Sequence, residues 1–209
     1  MFAHQTNLPV NHPFAARFSH QTYLVQKKWL QLFGGSFYVF DPNGALVLYS
    51  KMKAFKLKED IRVFADEAMQ TEALSIQARH VLDFSGAYDV YDSATGERVG
   101  ALRRKGLKSS FYKDEWLILD RHEREIGLIQ EENAVLALLR KYLLGALIPQ
   151  TFNVQIGDQP VATFKQAFNL FATKLSLDFS LDSRRLLDRR LGIAAAILLC
   201  AIEGKQESN

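Results

Sequence analysis

Hydrophobic and polar residues alternate along most of this chain, and turn-forming residues interrupt the alternation at intervals. The clearest example is residues 37–48, where the runs Phe-Tyr-Val-Phe and Ala-Leu-Val-Leu flank Asp41, Pro42, Asn43 and Gly44. Asp at the first turn position, Pro at the second and Gly at the fourth are typical of a type I turn. The pattern therefore predicts a β-hairpin.

The same hairpin pattern returns three times, beginning at Tyr88, Trp116 and Phe152. Like Phe37 in the first copy, each of these aromatic residues lies four positions before its turn. Because side chains in a strand alternate between two faces, we expect the four aromatic residues to be buried at equivalent positions. The intervals between the copies are irregular, which disfavours a propeller or a solenoid.

Further alternating segments occur at residues 74–79 and 174–180. Together with the hairpins they predict on the order of ten to twelve strands, mostly antiparallel. An antiparallel sheet of this size usually closes into a barrel or folds into a sandwich. The sequence therefore predicts a mainly β fold.

Two helices are predicted among the strands. The first covers residues 133–145, with Asn133 as a possible N-cap and Gly145 at its end. The second begins near Asp182 or Ser183 and continues to about residue 203.

Residues 191–202 of the second helix are apolar on every face, so the helix is buried either in protein or in lipid. This run is roughly 18 Å long, well short of the ~30 Å hydrocarbon core of a bilayer. We therefore expect a closed antiparallel β-barrel of about twelve strands, threaded by its own hydrophobic C-terminal helix.

The chain shows no internal linker, so we expect a single domain over residues 21–204. Residues 1–20 are predicted to form an extended N-terminal arm, and residues 205–209 a frayed tail. The first residues lack the basic and apolar stretches of a secretory signal. We therefore expect a cytoplasmic protein.

Composition narrows the possible chemistry. A single cysteine among 209 residues excludes a disulfide framework and a cysteine-built zinc site. The 26 basic and 23 acidic residues leave a net charge of +3, so we expect no nucleic-acid partner. The 15 Phe, 7 Tyr and 2 Trp residues agree with a β-rich fold.

The sequence resembles the tubby C-terminal-like superfamily in several segments. These are the hairpins at residues 88–100 and 116–127, the segments 147–152 and 164–169, and the closing helix at 188–197. The resemblance covers roughly residues 22 to 203 and points to the LURP-one-related and phospholipid-scramblase-like branches. It implies a twelve-stranded barrel around a central hydrophobic helix. For function, it implies phosphoinositide binding, as in tubby proteins, or lipid translocation, as in scramblases.

The chain departs from the scramblase pattern. Scramblases carry a proline-rich N-terminal region, a cysteine cluster and an acidic calcium-binding segment. This chain has 5 prolines and one cysteine, Cys200, which lies in the apolar helix. Asp178, Asp182 and Asp188 are too sparse for a calcium loop. We therefore expect neither calcium-activated scrambling nor any metal or cofactor.

Recognisable enzyme motifs are absent from the sequence. His80 and His122 have no neighbouring nucleophile and are interpreted as surface or packing residues. The acidic residues near Asp92 and Asp120 lie at hairpin tips, where polar turn residues are common. We therefore expect a protein without enzymatic activity.

Basic residues form two clusters that could bind lipid headgroups: Lys51, Lys53, Lys56 and Lys58, and then Arg103, Arg104 and Lys105. If the clusters lie on neighbouring strands, they form one basic surface for phosphates. The alternative is that these charges only keep the strand edges soluble.

Two classes of function remain open. The first is a membrane-surface module, peripheral to the membrane, that binds anionic phospholipid headgroups such as phosphoinositides. The second is a soluble scaffold whose barrel binds a protein partner or a small hydrophobic ligand.

Overall fold

The computed structural model describes residues 8–31, 34–53, 60–79, 86–105, 115–132, 150–169 and 172–202. In these residues, twelve strands form a closed antiparallel barrel around one C-terminal helix, which confirms the predicted fold. The strands are β1 (Thr22–Gln31), β2 (Gly34–Phe40), β3 (Leu46–Lys53), β4 (Asp60–Phe64), β5 (Glu72–Ala78), β6 (Ala87–Asp92), β7 (Arg98–Arg104), β8 (Glu115–Asp120), β9 (Glu125–Glu131), β10 (Gln150–Ile156), β11 (Gln159–Asn169) and β12 (Ala172–Asp178). The helix is α1 (Arg189–Ile202), and a short 3-10 helix covers Ala16–Phe18.

Each strand pairs with its neighbours in sequence, and β1 pairs with β12 to close the barrel. In this seam Thr22 lies opposite Asp178, and Lys28 lies opposite Ala172. Since consecutive strands are antiparallel, all even-numbered strands run in one direction. The turns that follow β2, β4, β6, β8 and β10 therefore meet at one end of the barrel, which we call the hairpin end.

The four aromatic residues of the predicted hairpin pattern are buried, as expected. Phe37, Tyr88, Trp116 and Phe152 are no more than 8% exposed. They lie on β2, β6, β8 and β10, each of which leads into a turn at the hairpin end. Burying a large apolar side chain contributes about 1.5–3 kcal/mol, so packing explains why the pattern is repeated.

Helix α1 fills the barrel interior. Every residue from Leu191 to Ala201 is buried, and all of them other than Gly192 are known to be at most 3% exposed, so the predicted core position is confirmed. Gly192 permits a close approach between α1 and Phe179, because a β-carbon there would lie 2.7 Å from the Phe179 ring. In the part of the chain that the structure describes, no helix combines the length and apolarity that a membrane span requires.

The start of α1 differs from the prediction, because the residues from Asp182 to Asp188 form turns instead of a first helical turn. The Asp182 carboxylate accepts hydrogen bonds from the amides of Leu186 and Leu187 at 2.7 and 3.1 Å. Arg185 has a φ of 50°, in the left-handed region that interrupts a helix. Asp188 then caps α1 by accepting from the amide of Arg190 at 2.9 Å. The helix predicted at 133–145 and the end predicted near residue 203 lie outside the described residues.

We predict that Ala195→Leu destabilises the barrel by about 1–3 kcal/mol, because the helix has no room for a larger side chain. Urea denaturation of the two proteins measures the difference. Ala94→Leu at the exposed tip of the hairpin between β6 and β7 is the control, with an expected change within about 0.5 kcal/mol. Equal stability of Ala195→Leu and the wild type would contradict close packing around α1.

Candidate functional site

The first predicted basic cluster begins on β3. Lys51 is exposed on this strand, and Lys53 ends it. Lys56 and Lys58 lie outside the described residues. Ser50 lies opposite Phe37, and both side chains are buried on the interior side of the sheet. Because side chains alternate along a strand, Lys51 lies on the outer surface.

The second predicted cluster lies on β7 and just after it, and its charges are already engaged. Arg103 forms an ion pair with Glu125, and Lys105 forms one with Glu115 at 2.9 Å. Arg104 is only 6% exposed, because it alternates with Arg103 and faces the interior. Strands β4, β5 and β6 separate β7 from β3, so the condition for one continuous basic surface is not met.

Ion pairs also engage the arginines on the outer surface of β4 to β7. Arg62 pairs with Asp60 and Glu72 at 2.6 and 3.0 Å. Arg79 pairs with Asp89 at 2.8 Å and with Glu123 at 2.6 Å. Neighbouring carboxylates therefore neutralise the charges of these two arginines.

The pKa of Asp89 reflects the same pairing. Burial tends to raise the pKa of this carboxyl group, but hydrogen bonds from Arg79 and Arg98 outweigh that effect. The pKa of Asp89 consequently lies below its usual value. The carboxylate stays charged and continues to neutralise both arginines at physiological pH.

The opposite side of the barrel carries lysines that have no such partners among the residues that the structure describes. We call this surface the lysine face; it is formed by the outer sides of β11, β12, β1, β2 and β3 and carries Lys165, Lys174, Lys28 and Lys51. Among the described residues, no carboxylate forms an ion pair with any of these four lysines. Sequence reasoning found only Lys51, because the other three lie far from it in the chain.

Strand register arranges the lysine face in rows. Lys28 lies opposite Ser36, which in turn lies opposite Lys51. In the next row, Lys174 lies opposite Gln26, which lies opposite Tyr38. Since neighbouring strands are about 4.8 Å apart, Lys28 and Lys51 are separated by roughly 10 Å of backbone.

Aromatic side chains fill the spaces between the lysines. The Tyr38 ring stacks on Phe40 with centroids 6.3 Å apart, and Lys28 Nζ lies 4.3 Å from the Tyr38 centroid. Tyr49 packs edge-on against Tyr38 at 5.1 Å. The Tyr38 hydroxyl donates to the Glu67 carboxylate at 3.4 Å, at the border of the face. Lysines beside aromatic rings are suited to a membrane surface, where anionic headgroups cover apolar acyl chains.

A second polar cluster lies at the hairpin end and is centred on Asp92, whose side chain is fully buried. Arg190 Nη1 donates to Asp92 Oδ2 at 2.7 Å. His12 Nε2 donates to Asp92 Oδ1 at 3.2 Å, since the other ring nitrogen of His12 accepts from the Phe14 amide. Asp92 therefore joins the segment before β1, the hairpin between β6 and β7, and the start of α1.

Electrostatics favour the charged form of Asp92. Burial tends to raise the pKa of this carboxyl group, but the hydrogen bond and charge of Arg190, with the contact from His12, outweigh that effect. The pKa of Asp92 therefore lies below its usual value. These contacts give Asp92 a structural role.

Comparison with known proteins identifies the family. The chain belongs to the LURP-one-related family, whose model matches residues 46–200, and this family is part of the tubby-like superfamily. The resemblance inferred from the hairpins and the closing helix is thus confirmed for this branch. Comparison with curated proteins finds no match.

We predict that Asp92→Asn lowers the free energy of unfolding by about 3 kcal/mol near neutral pH, because the largely buried Arg190 keeps only Asp188 as a carboxylate partner and the hydrogen bond from His12 is weakened. Since the pKa of Asp92 is lowered by folding, its contribution is complete above the unfolded pKa of about 3.9. It is lost as the pH falls through the lower folded pKa. The difference between the two proteins should therefore be constant above about pH 5 and shrink below about pH 4.

Urea denaturation at a series of pH values measures this difference. Because all other carboxyl groups are common to both proteins, the pH dependence of the difference reports on Asp92. Glu97→Gln, an exposed change on the same hairpin, is the control and should leave stability almost unchanged. A difference that persists unchanged at low pH would contradict the assigned charge state of Asp92.

Proposed function

We propose that this LURP-one-related protein has no enzymatic activity and binds anionic phospholipid headgroups, phosphoinositides included, at the cytoplasmic surface of a membrane. The lysine face is the proposed contact surface. One observation carries the proposal: its four lysines lack carboxylate partners among the described residues, whereas Arg62, Arg79 and Arg103 on the other side are ion-paired. An uncompensated basic surface attracts an anionic one.

The expected strength of binding is modest. Each lysine near an anionic membrane contributes about 1 kcal/mol, so four contribute about 4 kcal/mol. That corresponds to a dissociation constant of about 1 mM. Charge alone therefore supports reversible, peripheral attachment, and further contacts are needed for tighter binding.

The aromatic residues of the lysine face can supply further contacts. Tyr38 and Phe40 are half-buried on the outer surface, beside Lys28. Aromatic rings with polar neighbours suit the boundary between headgroups and acyl chains. Their position between the lysines supports a lipid surface over a dissolved anion as the ligand.

The predicted residues contribute unequally to this proposal. Lys51 belongs to the lysine face. Lys53, Lys56 and Lys58 continue the same stretch of sequence and stay proposed as additional headgroup contacts beside the four lysines of that face. We do not build the site on Arg103, Arg104 and Lys105, because the first and last are ion-paired and Arg104 is buried.

We predict that changing Lys28, Lys51, Lys165 and Lys174 together to Ala removes most binding to vesicles containing phosphatidylserine and a phosphoinositide. Co-sedimentation measures the bound fraction. Wild-type binding should also weaken as salt rises, because exposed charges are screened beyond about 8 Å at physiological ionic strength. Exposed substitutions usually change stability by less than about 0.5 kcal/mol each, so the variant should remain folded.

The matched control changes four cations on the other side of the barrel to Ala: Arg103, Lys105, Arg121 and Arg124. It alters net charge equally and should bind almost as well as the wild type. Equal binding by the wild type and the lysine-face variant would eliminate the proposed site. No binding by the wild type would favour a scaffold for a protein partner or a small hydrophobic ligand.

A further inference from the structure

A cleft of about 740 Å³ opens on the outer surface of the barrel, where the lysine face approaches the hairpin end. The outer sides of β11, β12, β1 and β2 form its floor, and the turn after β2 forms one wall. Its volume lies within the range of about 300–1,000 Å³ that is usual for small-molecule sites. The site is therefore large enough for part of a lipid molecule.

The floor of the cleft changes from charged to apolar along one row of the sheet. Lys165 lies opposite Ser176, Ser176 opposite Leu24, and Leu24 opposite Phe40. Leu24 and Phe40 are apolar side chains that face outward and remain half-buried. Pro42 continues the apolar lining into the turn. Crossing from β11 to β2 covers three strand spacings, or about 14 Å.

The charges around the cleft differ between its two ends. Two carboxylates lie in its lining, both at the hairpin end, and both accept hydrogen bonds from backbone amides. Asp41 accepts from the amides of Asn43 and Ala45 at 2.9 and 2.8 Å, and Asp178 accepts from that of Ser180 at 2.8 Å. Lys165 has no ion-pair partner in the described part of the chain. Its diagonal neighbours on β12 are Asp178, towards the hairpin end, and Lys174, which lies just outside the lining in the opposite direction.

We propose that this cleft binds one acyl chain of an anionic phospholipid, whose phosphate lies at Lys165 and Lys174. The inference rests on the proposed function and extends it, because the protein would then hold an individual lipid in addition to contacting a charged surface. A ligand with a negative headgroup joined to an apolar chain matches the change from lysine to Leu24 and Phe40. Burial of each additional methylene should tighten binding by about three- to fourfold.

The test uses soluble phosphatidic acids below their micellar concentrations, titrated into the full chain by calorimetry. Dioctanoyl phosphatidic acid should bind about tenfold more tightly than dihexanoyl phosphatidic acid, because two more methylenes enter the cleft. Dioctanoyl phosphatidylcholine tests the need for net negative charge, and glycerol 3-phosphate tests the headgroup alone; both should bind much more weakly. Affinity that is independent of chain length would overturn the inference.

Two substitutions locate the binding site. Ser176→Trp fills the middle of the cleft from an exposed position on β12, and should weaken dioctanoyl phosphatidic acid binding at least tenfold while vesicle binding persists. Gln155→Trp, at an exposed outward position on β10, is the matched control and should bind normally. Lys165→Glu, also at an exposed position, should weaken binding of the anionic lipid without affecting the core.

The results separate the two proposals. Unchanged soluble-lipid binding by folded Ser176→Trp and Lys165→Glu would overturn the cleft site, even if the lysine face still binds vesicles. Vesicle binding by the wild type without chain-length dependence would leave the proposed function intact and refute the cleft. Chain-dependent lipid binding that Ser176→Trp abolishes, without any vesicle binding, would support the cleft and refute the membrane-surface function.

Discussion

The need to fill the interior of a twelve-stranded barrel governs this structure. A barrel of about eight strands has an interior that side chains alone can fill, whereas a wider one needs additional material. Here α1 supplies it, and the fit depends on small residues where elements approach closely. A β-carbon at Gly100 would lie 2.4 Å from the carbonyl oxygen of Leu119 and 3.0 Å from Leu191 of α1. The apolar C-terminal sequence is thus a consequence of the strand number.

A helix inside a barrel must also have its polar ends compensated. At the start of α1, Asp188 accepts from Arg190, and Asp182 accepts from Arg189 at 2.7 Å. At the other end, the buried Lys27 donates to the carbonyl oxygen of Cys200 at 3.1 Å. A cation near the last carbonyl groups of a helix is favourable. These contacts, together with Asp92, couple the stability of the helix to the surrounding strands.

The sequence predicted the parts of this fold that depend on local patterns, such as the hairpins, the buried aromatic residues and the apolar helix. It placed the start of α1 too early, because the turn around Asp182 depends on the conformation of Arg185. Grouping Arg103 to Lys105 overlooked strand alternation, which turns Arg104 inward. The lysine face could not be found from a linear cluster, since Lys28 and Lys174 become neighbours only when β1 pairs with β12.

The barrel seam connects folding to the candidate site. Lys28 lies on one side of the seam between β1 and β12, and Lys165 and Lys174 lie on the other. The cleft also crosses this seam, through Leu24 and Ser176. A change that opens the seam would therefore separate the lysines and divide the cleft without substituting any residue of the site. Because α1 contacts both β1 and β12, the buried helix stabilises the outer binding surface as well as the core.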